Sequence, residues 1–372
     1  MPLPPLPPTP VSLHADLVSG LASRTLIAAT PTGLPTDLEG LMARHGAHSG
    51  VVMVSTRVSR ALITQLRRSA AVPVVAWDPG HYQHISASAD RPMILDDDEP
   101  SLFAETSLTE FVAGAERDLT AIFSPTGAIG ADDGAALHAA VDVCNAVAPG
   151  RLLCTLPIAK EWLTAGRRAE LAGAISDAVH PVALAVTDHF DPFGDLEILE
   201  GLEELLSAVG SQVVLHRTDV IGVHALGHGA LGSVIAGTAS LRHTVPAGRL
   251  PRRRKKGTVP GLGIFVPGID AFVDLGTLDG WFVDHPPLCT VGSCSPHSLT
   301  DFSHHDRPAA SRHNCGGVLE IAERLLTENP GDTRAWLQDY WRAVADAYVY
   351  LRMETGRRDI WPYGAARHLT AR

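Results

Sequence analysis

Short apolar runs rich in β-branched residues alternate along the chain with longer segments of helical periodicity, and this alternation most constrains the fold. Strands that alternate with helices form parallel βαβ units, and eight units in about 220 residues predict a closed (β/α)8 barrel of the TIM type. An open, doubly wound sheet is the alternative, but no G-x-G-x-x-G motif follows the first predicted strand. The predicted strands are Thr25–Ala29, Gly50–Val54, Val72–Trp77, Leu119–Phe123, Arg151–Leu156, Val182–Thr187, Gln212–His216 and Ala230–Ala236. The predicted helices between and after them include Asp37–His45, Arg57–Ala70, Gly134–Val147, Lys160–Val179, Leu196–Val209, Gly317–Glu328 and Thr333–Arg352.

Composition argues against several classes of protein. A net charge of −11 is incompatible with a wholly basic surface that coats nucleic acid, and no apolar run is long enough to span a membrane. The opening segment, MPLPPLPPTP, has no basic region before an apolar one, so we expect no signal peptide. The five cysteines are odd in number and do not suggest a disulfide framework, so we expect a reducing cytoplasm.

Changes in composition divide the chain into four parts. The last part is predicted to be a zinc-binding helical module, in which Pro330 and Gly331 separate two helices. The four parts are a proline-rich tail and lead-in at 1–24, the barrel at 25–245, a basic loop and connector at 246–284, and the Cys/His module with C-terminal helices at 285–372.

The stretch from Leu288 to Leu326 holds three of the five cysteines together with several histidines. Thiolate and imidazole are the ligands that Zn²⁺ prefers, and a structural site needs four of them in a tetrahedron. A C-x4-C pair is a weaker signal than C-x-x-C, so buried free thiols beside solvated histidines are the alternative. The predicted zinc ligands are Cys289, Cys294, His313 and Cys315.

One basic run departs from the acidic balance of the chain. Its charge could hold nucleic-acid phosphates, although a run of this kind is equally typical of a solvated loop. The candidate nucleic-acid-binding residues in it are Arg252, Arg253, Arg254, Lys255 and Lys256.

Residues that directly follow the predicted strands are candidates for chemistry, because barrel active sites lie at the carboxyl ends of the strands. Asp78 follows strand three, Asp188 follows strand six, and Asp219 follows strand seven. Two or three carboxylates around one barrel mouth can act as acid, base or nucleophile. Each could instead cap the next helix, but Pro79 and Gly80 after Asp78 predict a tight turn rather than a plain helix start.

The chain resembles the tRNA-guanine transglycosylases over about residues 25–352. That family carries D-S-G-G-[FY]-Q after its third barrel strand, where residues 78–83 of this chain have D-P-G-H-Y-Q. The family's zinc motif is C-x-C-x-x-C followed downstream by His-Asn. Cys289 and Cys294 match its first and third cysteines, His313 and the next residue match His-Asn, and Cys315 is the expected replacement for the missing thiolate.

The resemblance implies an enzyme that exchanges a guanine-type base in tRNA or DNA for a 7-deazaguanine, as in queuosine formation, with a structural zinc ion. It implies Asp78 as general acid or base, with Asp219, or else Asp188, as the nucleophile that holds the sugar. Strands three and seven are opposite in a ring of eight, so Asp78 and Asp219 are expected to face one another across the barrel mouth. Nucleic acid and a free base would be the partners, and a homodimer or heterodimer is expected. The candidate substrate-binding residues are Gly80, Tyr82, Gln83, Ser124, Arg217 and Arg242.

Two departures from the family pattern keep other functions open. Residues 229–234 contain no acid where the family has its nucleophile, and Ser124 stands in place of the base-reading Asp. GIDAFVD at 268–274 is similar to the nucleophile motif but is predicted to lie outside the barrel. One alternative is a non-catalytic binding or partner subunit. The other is a zinc-dependent barrel hydrolase with His189, His216 or His224 as ligands.

Overall fold

The computed structural model describes residues 11–69, 71–95, 107–188, 191–242, 244, 261–282, 287–294, 297–328 and 331–372. Eight parallel strands close into a barrel in sequence order, which confirms the predicted fold class. The strands are β1 Arg24–Ala29, β2 Ser49–Val54, β3 Val75–Asp78, β4 Ala121–Phe123, β5 Leu152–Ala159, β6 Val182–Thr187, β7 Val213–Thr218 and β8 Gly232–Ala236.

The barrel has an apolar lower interior because alternate side chains of each strand point inward. Small and branched residues such as Ala28, Val52, Ala76 and Val234 form this inner cluster, and it is separate from the cluster between barrel and helices. The interior is therefore a packed core. A buried polar layer rests on it towards the carboxyl ends of the strands, and its residues are Asp78, Tyr82, Thr155, His216 and Arg217.

Helices cover the outside of the barrel. Their amphipathic pattern explains their positions: in the Leu196–Val209 helix, predicted with the same bounds, the apolar residues from Ile198 to Val209 that face the barrel are buried, while Leu196 at its first position is exposed. Residues 160–179, predicted as one helix, form a 3-10 turn and a shorter helix. The barrel helices are α1 Val11–Leu21, α2 Leu38–His45, α3 Arg60–Arg68, α4 Leu108–Gly114, α5 Gly134–Asn145, α6 Arg168–Asp177, α7 Leu196–Val209, α8 Ile221–Gly227 and α9 Ala239–Arg242.

The lead-in before the first strand contains a helix. Residues 11–21 form helix α1, and Leu17 and Leu21 belong to the inner cluster of the barrel. The amide of Ser23 donates to the carbonyl of Leu231, 2.8 Å away, at the start of β8. Helix α1 thus closes the amino-terminal end of the barrel, while residues 1–10 lie outside the described residues.

The C-terminal part packs on one side of the barrel. A hairpin outside the barrel contains most of the GIDAFVD segment, as predicted, and the first of the two predicted helices is longer than expected, beginning at Arg307. No helix within the described residues is long and apolar enough to cross a membrane. The elements are β9 Gly263–Val266, β10 Ala271–Asp274, α10 Leu275–Trp281, α11 Arg307–Glu328, α12 Thr333–Thr355 and α13 Ala365–Leu369.

Asn314 joins this part to the barrel. Its side-chain amide donates to the carbonyls of Gly237 and Gly263, at 2.7 and 2.8 Å, and its oxygen accepts from the amide of Phe265 at 2.7 Å. Because Asn314 is fully buried, these three bonds fix α11 against the end of β8 and against β9.

Candidate functional site in the barrel mouth and candidate metal centre

Asp78 lies at the end of β3 and is held by the turn that follows it. Gly80 has a φ of 69°, which favours glycine, and its amide donates to Asp78 Oδ1 at 2.8 Å. A Cβ added to Gly80 would lie only 2.6 Å from the side-chain nitrogen of Gln83, which also favours glycine at this position. The turn predicted from Pro79 and Gly80 is therefore present, and it holds Asp78 Oδ1 through the amide of Gly80.

The second oxygen of Asp78 is bound from across the barrel. Tyr82 donates its hydroxyl to Asp78 Oδ2 at 2.6 Å, and His216 Nε2 lies 2.8 Å from the same oxygen. His216 belongs to β7, four strands away in the ring of eight and hence on the opposite wall. The side chains of Asp78 and His216 are both 0% exposed, so the pair lies within the barrel and not on its rim.

The charges of this pair follow from burial and hydrogen bonding. Burial alone would raise the pKa of Asp78, but the bonds from His216 and Tyr82 and the charge of Arg217 together hold it below its usual value. Burial lowers the pKa of His216 against the opposing effect of Asp78, and burial raises that of Tyr82. Near neutral pH the site therefore holds an ionised Asp78, a neutral His216 and a neutral Tyr82.

A β-bulge in β7 turns Arg217 towards this pair. The register with β8 shifts between Leu215 and Thr218, and Arg217 has a φ of 58°. A non-glycine residue in the left-handed region costs about 1–3 kcal/mol and is found mostly at functional sites. The guanidinium lies 5.7 Å from the centre of the Tyr82 ring. The bulge therefore allows His216 and Arg217, which are adjacent in sequence, both to lie beside Tyr82.

Arg217 also binds the segment that covers the mouth. Its Nε donates to the carbonyl of Leu241 at 3.1 Å, and its Nη2 donates to that of Ser240 at 2.9 Å. Thr244 then pairs with Thr187 at the end of β6. Residues 240–242 and 244 thus lie over the polar layer, and we call them the cover segment.

Three buried polar atoms of the polar layer have no hydrogen-bond partner among the described residues: Thr155 Oγ1, His216 Nδ1 and Arg217 Nη1. All three residues are at most 3% exposed. Buried polar groups are almost always paired with protein, water or ligand. The polar layer therefore has the chemistry to receive a small polar group that offers both donors and acceptors.

Ser124, the residue in the predicted base-reading place, makes bonds only within the barrel wall. Its hydroxyl lies 2.7 Å from that of Thr126 and accepts from the amide of Thr155 at 2.8 Å. These bonds join the end of β4 to the middle of β5 and use two of the three hydrogen-bonding sites of the hydroxyl.

A second, open space lies beside the polar layer. This cavity of about 1250 Å³ is lined by residues that follow β5 to β8, by the β9–β10 hairpin and by α13. Asp188 lies on its wall and pairs with Lys160 at 2.9 Å. Asp219, also on the wall, accepts from the amide of Ile221 at 3.1 Å, as a helix cap does. Arg242 stacks on Phe272, 3.7 Å from the ring centre.

The predicted arrangement of the carboxylates is wrong in one respect. We expected Asp78 and Asp219 to face one another across an open mouth. The structure has Asp78 buried below the cover segment, whereas Asp219 lines the open cavity together with Asp188 and Arg242. The cause is His216, whose bond to Asp78 holds that carboxylate inside the barrel.

Three of the four predicted zinc ligands come together and could hold a metal ion. The ligand atoms of Cys289, Cys294 and His313 all lie within 4.8 Å of one another. His313 Nδ1 is 3.3 Å from one sulfur and 3.4 Å from the other. Its Nε2 donates to the carbonyl of Phe265 at 2.7 Å, which leaves Nδ1 as the unprotonated, ligating nitrogen.

Cys315 is not the fourth ligand. His313 and Cys315 are two residues apart on α11, and residues at this spacing point to nearly opposite sides of a helix. The Cys315 sulfur packs against Gly237 at the end of β8, where an added Cβ would lie 2.8 Å from it. Its thiol is fully buried, and burial raises its pKa to about 12. Another histidine lies near the group: the ring centre of His297 is 6.3 Å from the ring centre of His313.

The two thiols of the metal group differ in acidity. A hydrogen bond from Cys294, together with His313 and against the effect of burial, lowers the pKa of Cys289 to about 4. The bond to Cys289, burial and the neighbouring negative charge raise the pKa of Cys294 above its usual value. A metal ion binds the deprotonated sulfurs, so a bound cation would displace the thiol protons of this pair.

A second group with metal-binding residue types lies far from the barrel mouth. Glu203 on α7 and His224 and His228 at α8 have their ligand atoms within 4.8 Å of one another. His224 Nε2 lies 3.0 Å from Glu203, which also accepts from Arg372 at 2.6 and 2.8 Å. Of the histidines in the hydrolase alternative, His224 thus belongs to this second group, whereas His216 lies inside the barrel beside Asp78.

Two sets of predicted residues lie outside the described residues. They are His189 and the whole basic run from Arg252 to Lys256.

A scan against protein-family models finds no match, and a search of curated proteins finds no significant match. The resemblance to the transglycosylases therefore depends on the motifs in the sequence and on the fold.

The position of His216 beside Asp78 and the position of Thr155 in the polar layer were not predicted from the sequence. Both are polar residues inside otherwise apolar barrel strands, within VVLH of β7 and LLCT of β5. A polar side chain at an inward-facing position of a buried strand is the signal that could have identified them.

Proposed function

We propose that the protein is a transglycosylase-like barrel enzyme that binds a nucleobase in the polar layer of the mouth and exchanges it in nucleic acid. The observation that carries the proposal is the polar layer itself. Asp78 and Tyr82 of the D-P-G-H-Y-Q segment meet His216 and Arg217 there, beside three polar atoms that lack described partners. Such a site is well suited to a flat polar ligand, and a base must leave its stack to reach it.

The sugar would be held in the open cavity beside the polar layer. In this proposal Asp219 is the nucleophile that attacks the sugar carbon as the base leaves, and Asp188 is the replacement if Asp219 acts only as a cap. Both line the open cavity, where Lys160 and Arg242 supply positive charge for a phosphate. The cavity is wide enough for a nucleotide at about 1250 Å³.

We further infer that the metal of the Cys289, Cys294 and His313 group is zinc with a structural role. Two thiolates and an imidazole are typical zinc ligands, and the group is bonded to β9 through His313 and does not line the cavity. Five free cysteines support a reducing compartment such as the cytoplasm.

The nucleic-acid grip would come from the basic run that follows the cover segment in sequence. Replacing Arg252, Arg253 and Arg254 with Ala should weaken nucleic-acid binding and reduce its salt slope by roughly 0.9 per lost phosphate contact. Titration at several salt concentrations measures this slope, and an unchanged slope would assign the run to a solvated loop.

The test of the proposed function is a trapped adduct. Labelled tRNA and labelled DNA are each incubated with the protein and free guanine, and a denaturing gel detects a covalent sugar–enzyme intermediate. We expect an adduct with wild type, none with Asp219→Asn, and an adduct that persists with Asp188→Asn. The reverse pattern for these two variants would make Asp188 the nucleophile.

One observation favours a second candidate, the non-catalytic subunit. Asp78 accepts three hydrogen bonds and its side chain is 0% exposed, as expected of a carboxylate with a structural role. A protein that binds nucleic acid but gives no adduct and no base exchange with any substrate offered would support this second function.

A further inference from the structure

The metal group of the described residues offers three ligands, one fewer than a structural zinc site uses. Cys289, Cys294 and His313 have their donor atoms within 4.8 Å of one another, whereas a closed tetrahedral site needs four. Cys315 does not supply the fourth, because its sulfur packs against Gly237. Either another side chain completes the tetrahedron, or a water molecule takes the fourth position, as in catalytic zinc sites.

Val291 occupies the position of the missing cysteine and has no atom that can bind a metal. It is 3% exposed and packs on α11, where a Cβ added to Gly316 would lie 3.1 Å from a methyl group of Val291. The next residue fixes this loop, since the amide of Gly292 donates to Glu320 at 2.7 Å and its carbonyl accepts from Arg44 at 2.9 Å. A fourth protein ligand must therefore come from another part of the segment.

An antiparallel bridge brings His297 opposite Cys289. Leu288 and Ser298 are the bridge partners, and the amide of Cys289 donates to the carbonyl of His297 at 2.7 Å. Side chains alternate between the two faces of a strand, and residues directly opposite one another share a face, with Cβ atoms about 4.5–5.5 Å apart. Cys289 and His297 are the opposite pair next to Leu288 and Ser298. The backbone thus directs both side chains to the same face.

The ring of His297 also lies beside the ring of His313. The two ring centres are 6.3 Å apart, and the ring planes are inclined by 68°. Two imidazoles that share a tetrahedral zinc ion at about 2.1 Å have ring centres roughly 5 Å apart, so His297 needs to approach by about 1 Å. Phe302 is 9% exposed and contacts both rings, at 4.7 and 4.8 Å between centres. An apolar wall therefore covers one side of the two imidazoles, as expected around a metal site that excludes water.

We propose that His297 is the fourth ligand, so that the site has two thiolates and two imidazoles. The family motif implies three thiolates and one imidazole instead. This inference rests on the proposed function only for the identity of the metal as zinc. Two thiolates balance the two positive charges of Zn²⁺, whereas three would leave a net negative charge. A neutral site costs less to bury beside Phe265 and Phe302, which is a physical reason for a histidine at this position.

The first experiment counts the ligands in the full-length protein loaded with one equivalent of zinc. X-ray absorption at the zinc edge should show two sulfurs at about 2.3 Å and two nitrogens at about 2.0–2.1 Å. It should also show the multiple scattering of two imidazole rings. Three sulfurs would overturn the proposal and assign the fourth position to Cys315. A single imidazole ring would overturn it as well and assign that position to water.

The second experiment measures zinc affinity by competition with a chromophoric chelator. His297→Ala should weaken binding by more than about 100-fold, because loss of an outer-shell partner alone costs about 10–100-fold. His297→Cys should restore tight binding and raise the sulfur count from two to three. A histidine with only a packing role would not produce that change in sulfur count. The control is His305→Ala, an exposed histidine of the same segment, which should keep the wild-type affinity.

The outcomes separate this inference from the proposed function. If wild type binds no zinc, the zinc assignment in the proposed function fails together with this inference. If His297→Ala binds zinc as tightly as wild type, only the role of His297 is overturned. Neither result depends on whether the protein exchanges a base, because both readouts are taken on the metal itself.

Discussion

Two clusters of this protein offer metal-binding residue types at similar spacing, yet their surroundings differ. In the first, His313 directs Nδ1 at the sulfurs of Cys289 and Cys294 while Nε2 donates to the carbonyl of Phe265. The partner of the distal nitrogen is an acceptor, so the proximal nitrogen is left without a proton. In this cluster His313 Nδ1 and the two sulfurs could therefore bind a cation.

In the second cluster the distal partner is a donor. Trp341 donates its indole N–H to His224 Nδ1 at 3.2 Å, so the proton of the imidazole must lie on Nε2. Nε2 faces Glu203 at 3.0 Å, and a protonated nitrogen cannot ligate a metal. Arg372 also pairs with that carboxylate. The second cluster is therefore an ion-pair network, and the hydrogen-bond partner behind each histidine distinguishes the two.

The largest effect is expected from the first cluster. Cys294→Ser should reduce the metal content from about one ion per chain to near zero. The free energy of unfolding should fall by more than about 2 kcal/mol, because structural zinc contributes about 10–16 kcal/mol in zinc-finger peptides. Elemental analysis and urea denaturation measure the two quantities. Cys315→Ser is the matched control and should keep its metal; a metal-free but fully stable wild type would remove the contrast.

Removing a histidine from the second cluster should affect stability but not metal content. His224→Gln should leave the metal content unchanged and lower stability by about 1–3 kcal/mol, since it leaves Glu203 and Trp341 with poorer partners. The same analysis of metal and urea midpoint applies. Loss of a metal ion in this variant would show that the second cluster is a metal site and that the tautomer argument fails.

Acid should destabilise the second cluster in a defined range. Burial and the nearby His224 lower the pKa of His228 from 6.5 to about 4. Burial alone would raise the pKa of Glu203, but the bond to His224 and the charge of Arg372 lower it from 4.5 to about 2. Both groups bind protons more tightly in the unfolded chain, so the stability that they confer above pH 6.5 is lost as the pH falls.

The measurement is the urea midpoint as a function of pH in wild type and His228→Gln. The variant should show a weaker dependence between pH 6.5 and 4, the range set by the two pKa values of this group. Parallel curves would mean that His228 titrates alike in the folded and unfolded chain.

The smallest effect is expected from Arg372→Ala. The ion pair with Glu203 is partly exposed, with the Arg372 side chain 39% exposed, so its loss should cost about 0.5–1 kcal/mol. Metal content should stay at the wild-type level because His224 keeps its proton on Nε2. If the variant gains a metal ion, the charge of Arg372, rather than the tautomer, is what excludes metal from wild type.

The strands and most helices could be predicted because their signals are local. Runs such as VALAVT of β6 occur in the structure with the predicted bounds, and the α7 helix does as well. Asp78 and its turn were also accessible, since Pro79 and Gly80 allow few other conformations. The Cys289, Cys294 and His313 group could be predicted from ligand chemistry alone.

Other features of the site depend on contacts between distant residues. Asp78 and His216 are 138 positions apart in the chain and meet only because the closed barrel brings β3 opposite β7. The bulge that turns Arg217 inward contains no glycine or proline from which it could have been predicted. Cys315 was misassigned because residue spacing in sequence was counted without the rotation of a helix around its axis.

The sequence by itself determined the order of strands and helices, the tight turn after Asp78 and the supply of metal ligands, because each depends on neighbours a few residues away. The tertiary structure alone decided which nitrogen carries the proton in His313, His224 and His216. Phe265 behind His313, Trp341 behind His224 and Asp78 behind His216 each set that choice from a distant part of the chain. A proton follows its hydrogen-bond partner, and the partner is selected by how the barrel and the helices pack.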